Sequence, residues 1–205
     1  MRAPVVVLVG VSVCCALLSG CKAPGFLTAS PSGSPESSES AAPSDAASPE
    51  GVTIPTDCVD TMSEQMYEST FADVPLNDPA FGPSGVVEPE PAAPGSDVDL
   101  VIAGQLTLIC IWQDPAADVT GLRLAMGHVE VDEGEAYLEE LDDQGYDCED
   151  RYDGQWCQRI TNDTDFGVEE GHTAFLRDDV FIEVRQANFP TNGFLADVVE
   201  TVWDE

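Results

Sequence analysis

The pattern of apolar and polar positions divides the chain into three parts. Residues 3–18 form a nearly continuous apolar run, and residues 22–56 are dominated by Ser, Pro, Ala and Gly with scattered acids. Periodic apolar positions begin only after that stretch. Because a Ser/Pro-rich segment cannot bury enough apolar surface to fold, we predict a processed N-terminal segment (1–21), a disordered tether (22–56) and one folded domain (57–205).

Strand-like patterns fill the middle of the domain. Residues 106–112 are apolar on both faces and predict a central strand, and residues 121–129 alternate in the way a half-buried strand does. Two further strands are expected around Cys148 and Cys157, followed by a loop over residues 162–171. Before the strand at residues 106–112, the stretch of residues 74–99 is rich in Pro, Gly and acids, which predicts a long loop.

The strongest strand signal is a hairpin formed by residues 172–177 and 180–187. Two residues, Asp178 and Asp179, separate its strands, which fixes the register of the pairing. In this register His172 lies opposite Arg185 on one face. The other face carries an apolar set: Phe175, Val180, Ile182 and Val184.

Helical spacing appears in three places. Asp57 is a suitable N-cap for a first helix over residues 58–72, and residues 132–144 predict a second helix. Its inward positions are Ala136, Tyr137, Leu138 and Leu141. A last, amphipathic helix is predicted by Phe194, Leu195, Val198, Val199, Val202 and Trp203. The fold class is therefore α+β: a mainly antiparallel sheet of about six strands, with three helices covering one face.

The apolar run at the N-terminus follows Arg2 and ends at Leu18-Ser19-Gly20-Cys21. This arrangement has the features of a signal peptide, and its last four residues resemble the lipobox of bacterial lipoproteins. The resemblance implies a diacylglyceryl thioether on Cys21, the expected lipidation site. An uncleaved membrane helix is the alternative, because the run approaches the ~18 residues that a span requires. Either arrangement places the domain on the extracytoplasmic side.

The net charge of the chain limits the classes of molecule that it can bind. The chain has 39 acidic and 7 basic residues and a formal net charge of −32, with no lysine after Lys22. Such a surface repels nucleic acid and anionic lipid headgroups, which excludes both as partners. It can attract metal cations or a basic protein, although solubility is the simpler explanation for the charge.

The cysteines predict two disulfides. Cys14 and Cys15 leave with the signal peptide, and an even number remains in an exported domain, where thiols oxidise. Three pairings of Cys58, Cys110, Cys148 and Cys157 can be drawn. The turn-like residues 151–154 favour a bridge between Cys148 and Cys157, which leaves Cys58 for Cys110. The sequence lacks a C-x-x-C spacing or a His cluster, so the four cysteines do not fit a zinc site.

No catalytic residue or cofactor motif stands out. There is no G-x-S-x-G elbow, and paired carboxylates are too common to single out any two. His128 follows Leu122, Leu124 and Met126 on one strand face, which favours a core role over that of a base. For His172, the facing Arg185 is expected to weaken proton binding by like-charge repulsion. We therefore expect a protein that is not an enzyme, with an envelope hydrolase as a remote alternative.

A calcium- or cation-dependent interaction domain is the first alternative, ahead of the hydrolase. Residues 163–170 and 149–154 are acid-rich, yet neither matches the calcium loop D-x-[DN]-x-[DN]-G-x5-E. The first lacks the third acid, and the second carries Arg151 in its middle. Solvated surface acids explain both runs, so no metal ligand is assigned.

Several features together resemble small exported actinobacterial lipoproteins. They are the lipobox, the Ala/Ser/Pro tether, Cys58 at the start of the first helix and Cys110-Ile111-Trp112. The extracellular sensor domains of some mycobacterial receptor kinases look similar in having two bridges and an α+β plan, although we expect no second membrane span and no cytoplasmic part here. The resemblance implies binding or sensing at the cell envelope without catalysis. We expect a monomer held at the membrane by its lipid, with a cationic or membrane-protein partner.

Overall fold

The computed structural model describes residues 51–117, 119–164, 167–189 and 191–204. The predicted signal segment, Cys21 and residues 22–50 of the predicted tether lie outside these ranges. The helices are α1 (Glu64–Met66), which continues as a π-helical turn (Tyr67–Phe71), α2 (Val98–Ala103), α3 (Val131–Asp143) and α4 (Phe194–Val202). The strands are β1 (Gly85–Val86), β2 (Leu108–Gln113), β3 (Gly121–His128), β4 (Asp147–Arg151), β5 (Gly154–Asp163), β6 (Val168–Arg177) and β7 (Val180–Ala187).

Within the described ranges the seven strands form one antiparallel sheet in the order β1-β2-β3-β7-β6-β5-β4. The α+β class is confirmed. The sheet has seven strands where about six were expected, and three of the four helices span seven or more residues when α1 is counted with its π-helical turn. β7 is the middle strand of the seven, and β2, predicted as a central strand, lies inside the sheet between β1 and β3. The extra strand β1 comes from the segment predicted as a loop, and it pairs outside β2 through Gly85 and Val86.

Helices cover both faces of the sheet, which corrects the prediction of one covered face. On the first face α4 and the helical turns before β1 pack over β2, β3 and β7, with Phe71, Trp112 and Phe194 in a fully buried aromatic cluster. On the second face α2 and α3 pack over part of the sheet, where Tyr137 contacts Phe181. Successive side chains of a strand point to opposite faces of the sheet, so each strand contributes residues to both cores.

The β6–β7 hairpin has the predicted turn and register, with His172 paired to Arg185 and Phe175 to Ile182. The apolar set predicted for its first face lies in the first-face core. Asp178 adopts a positive φ of 56° in the turn, a conformation that Asp tolerates better than most residues. The two-residue connection was therefore enough to fix this part of the sheet.

The first predicted helix is interrupted at its fourth residue. Asp57 does cap a short 3-10 turn, Cys58–Thr61, by accepting a hydrogen bond from the Val59 amide. Ser63 then starts a new helix: its hydroxyl accepts from the Met66 amide at 3.2 Å and bonds Asp197 of α4 at 2.6 Å. Because Ser63 serves as a cap in extended conformation, one continuous helix over 58–72 was wrong.

Three smaller boundaries also differ from the prediction. The loop over 74–99 contains β1 and the start of α2, and the loop over 162–171 is reduced because β5 and β6 extend into it. In α3, Ala136 is exposed and Gly134 is buried in its place. The other predicted inward residues, Tyr137, Leu138 and Leu141, are buried, and they follow Gly134 at i+3, i+4 and i+7, a stripe on which Ala136 does not lie.

Both preferred disulfides are present. Cys58 and Cys110 join the first helical turn to β2, with their Cα atoms 5.6 Å apart. Cys148 and Cys157 are directly paired neighbours on β4 and β5. The hairpin argument therefore selected the correct connectivity.

None of the helices in the described ranges has the length and apolar character that crossing a bilayer requires. The last residues of the predicted tether take part in the fold, since Val52 and Ile54 pack against the first-face core.

Candidate functional site

The second face of the sheet is only partly covered. α2 and α3 pack over the positions that hold Ala125, Ala174 and Phe181. Further along the same strands the face is open, and a pocket with a volume of about 470 Å³ lies there. Its lining comes from β2, β3, β5, β6 and β7, together with Val119 and Tyr146. Strands with paired neighbours on both sides build most of this site.

A row of basic residues crosses the open part of the sheet. Arg123 on β3 pairs with Arg185 on β7, Arg185 with His172 on β6, and His172 with Arg159 on β5. Directly paired residues project from the same face. Four successive strands therefore place four basic side chains side by side, and we call Arg123, Arg185, His172 and Arg159 the basic row.

One carboxylate, Glu183, holds three members of the basic row. Arg123 Nη1 donates to Glu183 Oε2 at 2.8 Å, and Arg185 donates to Oε1 from Nη2 at 2.8 Å and from Nε at 3.1 Å. His172 Nε2 lies 3.0 Å from the same Oε1. The side chain of Glu183 is only 10% exposed, whereas that of Arg185 is 57% exposed. The carboxylate is thus buried beneath guanidinium groups that reach the pocket.

These contacts change the protonation of Glu183. Burial alone would raise the pKa of this carboxyl, but hydrogen bonds from His172 and Arg185 and the positive charge of Arg185 outweigh burial and lower the pKa to about 2. Nearby, burial and then the charge of Glu183 raise the pKa of Tyr137 to about 12. Burial disfavours the charged form of Arg185, but its hydrogen bond to Glu183 outweighs burial and raises the pKa of this guanidinium. Glu183 is therefore ionised throughout the physiological range.

The other half of the row is organised by Tyr146. Its hydroxyl lies 2.7 Å from His172 Nδ1, and the Arg159 guanidinium stacks over its ring at 4.2 Å from the centroid. An ionised carboxylate can only accept hydrogen bonds, so Nε2 of His172 must carry the proton shared with Glu183. Both ring nitrogens of His172 are therefore occupied, and Arg159, Tyr146, His172, Glu183 and Arg185 form one connected network.

The remaining walls of the pocket are mixed. Its apolar surface comes from Ile111, Val119 and Val168, and the one carboxylate among its described lining residues is that of Glu170, on the same face as the row. Thr161, Gln113 and Gln186 add neutral polar groups. Three of the five arginines found after Lys22 line this one pocket. In a chain of net charge −32, this is a local concentration of positive charge.

The two arginines outside the pocket have partners of their own. Arg151 stacks over Trp156 at 4.3 Å and pairs with Glu149. Arg177 stacks over Trp203 at 4.9 Å. They stack on aromatic side chains, and both line a different cavity.

The histidine predictions have mixed outcomes. His128 is exposed at the end of β3 and its Nδ1 lies 3.0 Å from Asp179, so the predicted core role was wrong. The strand ends there, and the alternation of β3 carries this side chain past the edge of the core. His172 does lie opposite Arg185, but the repulsion argument omitted Glu183, which contacts both.

The described residues of the acid-rich runs do not converge on a metal site. In residues 149–154 the chain turns from β4 to β5, and Arg151 pairs there with Glu149. The described ranges hold no group of three or more His, Cys, Asp or Glu side chains placed to bind a metal. Two positions of the other run, residues 165 and 166, lie outside those ranges.

The chain matches no protein-family model, and a comparison with curated protein sequences gives no match. Function is therefore inferred from the pocket and from the sequence features around it.

Proposed function

We propose that the chain is a lipid-anchored cell-envelope protein whose extracytoplasmic domain binds a small ligand in the open-face pocket, without catalysis. The observation that carries this proposal is the partial covering of the second sheet face. Binding sites for small molecules typically have volumes of ~300–1,000 Å³, and the pocket of about 470 Å³ lies in that range.

The pocket suits binding better than turnover. No Ser or Cys lies among the described residues that line it, so the commonest nucleophiles of acyl transfer are missing from its described wall. His172, which would be the natural base, already shares its two ring nitrogens with Glu183 and Tyr146. A preorganised polar network with fixed partners favours recognition of a ligand.

The extracytoplasmic location is supported by the sequence and by the disulfides. Leu18-Ser19-Gly20-Cys21 would place an acylated cysteine at the mature N-terminus. The four cysteines of the domain are all paired, as is common in proteins that mature in oxidising compartments. A tether of about 30 residues would let the domain move roughly 30 Å from the lipid surface.

The test compares two aromatic substitutions in the full chain. Ala187 lines the pocket next to the basic row, so Ala187→Trp should fill it, whereas Ala136→Trp places the same ring on the exposed face of α3. A mixture of neutral, cationic and anionic fragments is added, and backbone amide shifts are followed by NMR.

The proposal predicts fragment-induced shifts at pocket residues of the wild type and of Ala136→Trp, and their loss in Ala187→Trp. Unchanged amide shifts of the distant α4 would show that Ala187→Trp is folded. Absence of any shift at the pocket of the wild type, or equal shifts in both variants, would overturn the proposal.

A further inference from the structure

We infer that the pocket takes a small organic monoanion, with its carboxylate on the basic row and an apolar body against Ile111, Val119 and Val168. This inference rests on the proposed binding function and specifies the ligand. It follows from the charge of the pocket, from the geometry of its arginines and from its apolar wall.

The charge of the pocket is positive after its own carboxylates are counted. Three arginines face two carboxylates, Glu183 beneath the row and Glu170 on the wall. In the described part of the chain Arg159 has a stacking partner, Tyr146, and no ion pair. A single negative charge on a ligand therefore neutralises the site, while a cation would meet three guanidinium groups.

The arginines are placed to act together. Arg159 and Arg185 lie on strands that flank β6, so their backbones are about 10 Å apart across His172. Arg185 is held by Glu183 and Arg159 by the ring of Tyr146, and both of those partners also contact His172. Guanidinium groups with restricted motion lose less entropy when they bind a planar carboxylate through paired hydrogen bonds.

The wall of the pocket favours an organic ligand over an inorganic ion. Val119 is an exposed apolar residue at the pocket, 47% accessible, and Ile111 is the β2 neighbour of Arg123. An apolar body placed against these residues would be removed from water. Inorganic phosphate offers no such body, and its second negative charge would lie near Glu170 and Glu183.

The experiment uses the full chain with 15N-labelled arginine in zwitterionic lipid nanodiscs. The sequence has six arginines, so the Nε–Hε spectrum is simple enough to follow each one. The probes are hexanoate, neutral hexanamide, hexylammonium and inorganic phosphate. Arg151 and Arg177, outside the pocket, serve as internal controls.

We expect hexanoate to shift the Nε signals of Arg123, Arg159 and Arg185 in a saturable way and to leave the two controls in place. Hexanamide, hexylammonium and phosphate should bind at least tenfold more weakly. Arg159→Gln should weaken hexanoate binding by about tenfold, since one charge-assisted contact is lost, while Arg151→Gln should bind like the wild type.

Equal binding of hexanamide or hexylammonium would overturn the inference while leaving a ligand pocket in place. Tighter binding of phosphate than of hexanoate would also overturn it. If hexanoate moves none of the three pocket signals, the inference fails. The proposed binding function fails with it only if the fragment mixture also leaves the pocket amides unchanged.

Discussion

Arg123 and Arg185 face each other across β3 and β7, a direct pairing of like charges that would destabilise the sheet if it stood alone. Glu183 resolves it, because one buried carboxylate bonds both guanidinium groups. The fold and the candidate site therefore depend on the same residue. The site can be examined through stability as well as through binding.

Glu183→Gln is expected to destabilise the domain by about 2–3 kcal/mol, since the amide leaves two guanidinium groups without a counter-charge. The free energy of unfolding, from urea denaturation at pH 7, measures this change. Glu170→Gln is the matched control: it removes an exposed carboxylate of the same pocket and should change stability by less than about 0.5 kcal/mol. Similar values for the two variants would contradict the role assigned to Glu183.

Acid should weaken the fold through the same residue. A carboxyl whose pKa is lowered to about 2 from 4.5 stabilises the native state fully above pH 4.5, and this contribution is lost as the pH falls toward 2. It amounts to about 3 kcal/mol in total. The difference in unfolding free energy between wild type and Glu183→Gln, measured from pH 6 to pH 3, should shrink as the pH falls. A difference that does not depend on pH would show that Glu183 titrates normally.

The two disulfides should contribute different amounts to the free energy of unfolding. Cys58 and Cys110 are separated by 52 residues and Cys148 and Cys157 by 9, which corresponds to about 4 and about 3 kcal/mol of chain entropy in the unfolded state. Paired Cys→Ala variants, compared by thermal unfolding, should therefore lose more stability when the first bridge is removed. The reverse order would indicate that the loop-length argument does not describe this domain.

Lipid attachment can be tested with two serine substitutions in the N-terminal segment. Cys21→Ser should abolish incorporation of labelled palmitate and release the protein from the membrane fraction, because the acyl chains require the sulfur of this residue. Cys14→Ser lies in the segment expected to be removed and should leave both properties unchanged. Palmitate incorporation into Cys21→Ser at the level of the wild type would refute the assigned lipidation site.

The parts of the fold predicted correctly from sequence are those fixed by local chemistry. A two-residue turn at Asp178-Asp179 set the register of β6 against β7, and the turn between β4 and β5 brought Cys148 opposite Cys157. By contrast, β1 has two residues, Gly85 and Val86, too few for any periodic pattern. The pairing with β2 that creates it is visible only in the folded chain.

The candidate site was not predictable because it depends on non-local register. His172 opposite Arg185 was accessible from the hairpin, but Arg123 and Arg159 join the row only through the β3–β7 and β5–β6 pairings. Glu183 was one of 39 acidic residues and had no distinguishing neighbour in the sequence. Its one available signal was its position two residues before Arg185 on the same face of an apolar strand, which indicated a buried charge in need of a partner.

The most direct test of this account is the pKa of Glu183, from its side-chain carboxyl 13C shift in an NMR titration, with Glu183→Gln to assign the signal. If this buried carboxylate holds the basic row together, the pKa will lie at about 2. A pKa at or above 4.5, the ordinary value for a glutamate, would mean that Arg123, Arg185 and His172 do not surround this carboxylate in solution. The proposal that Glu183 holds the basic row together would then be wrong.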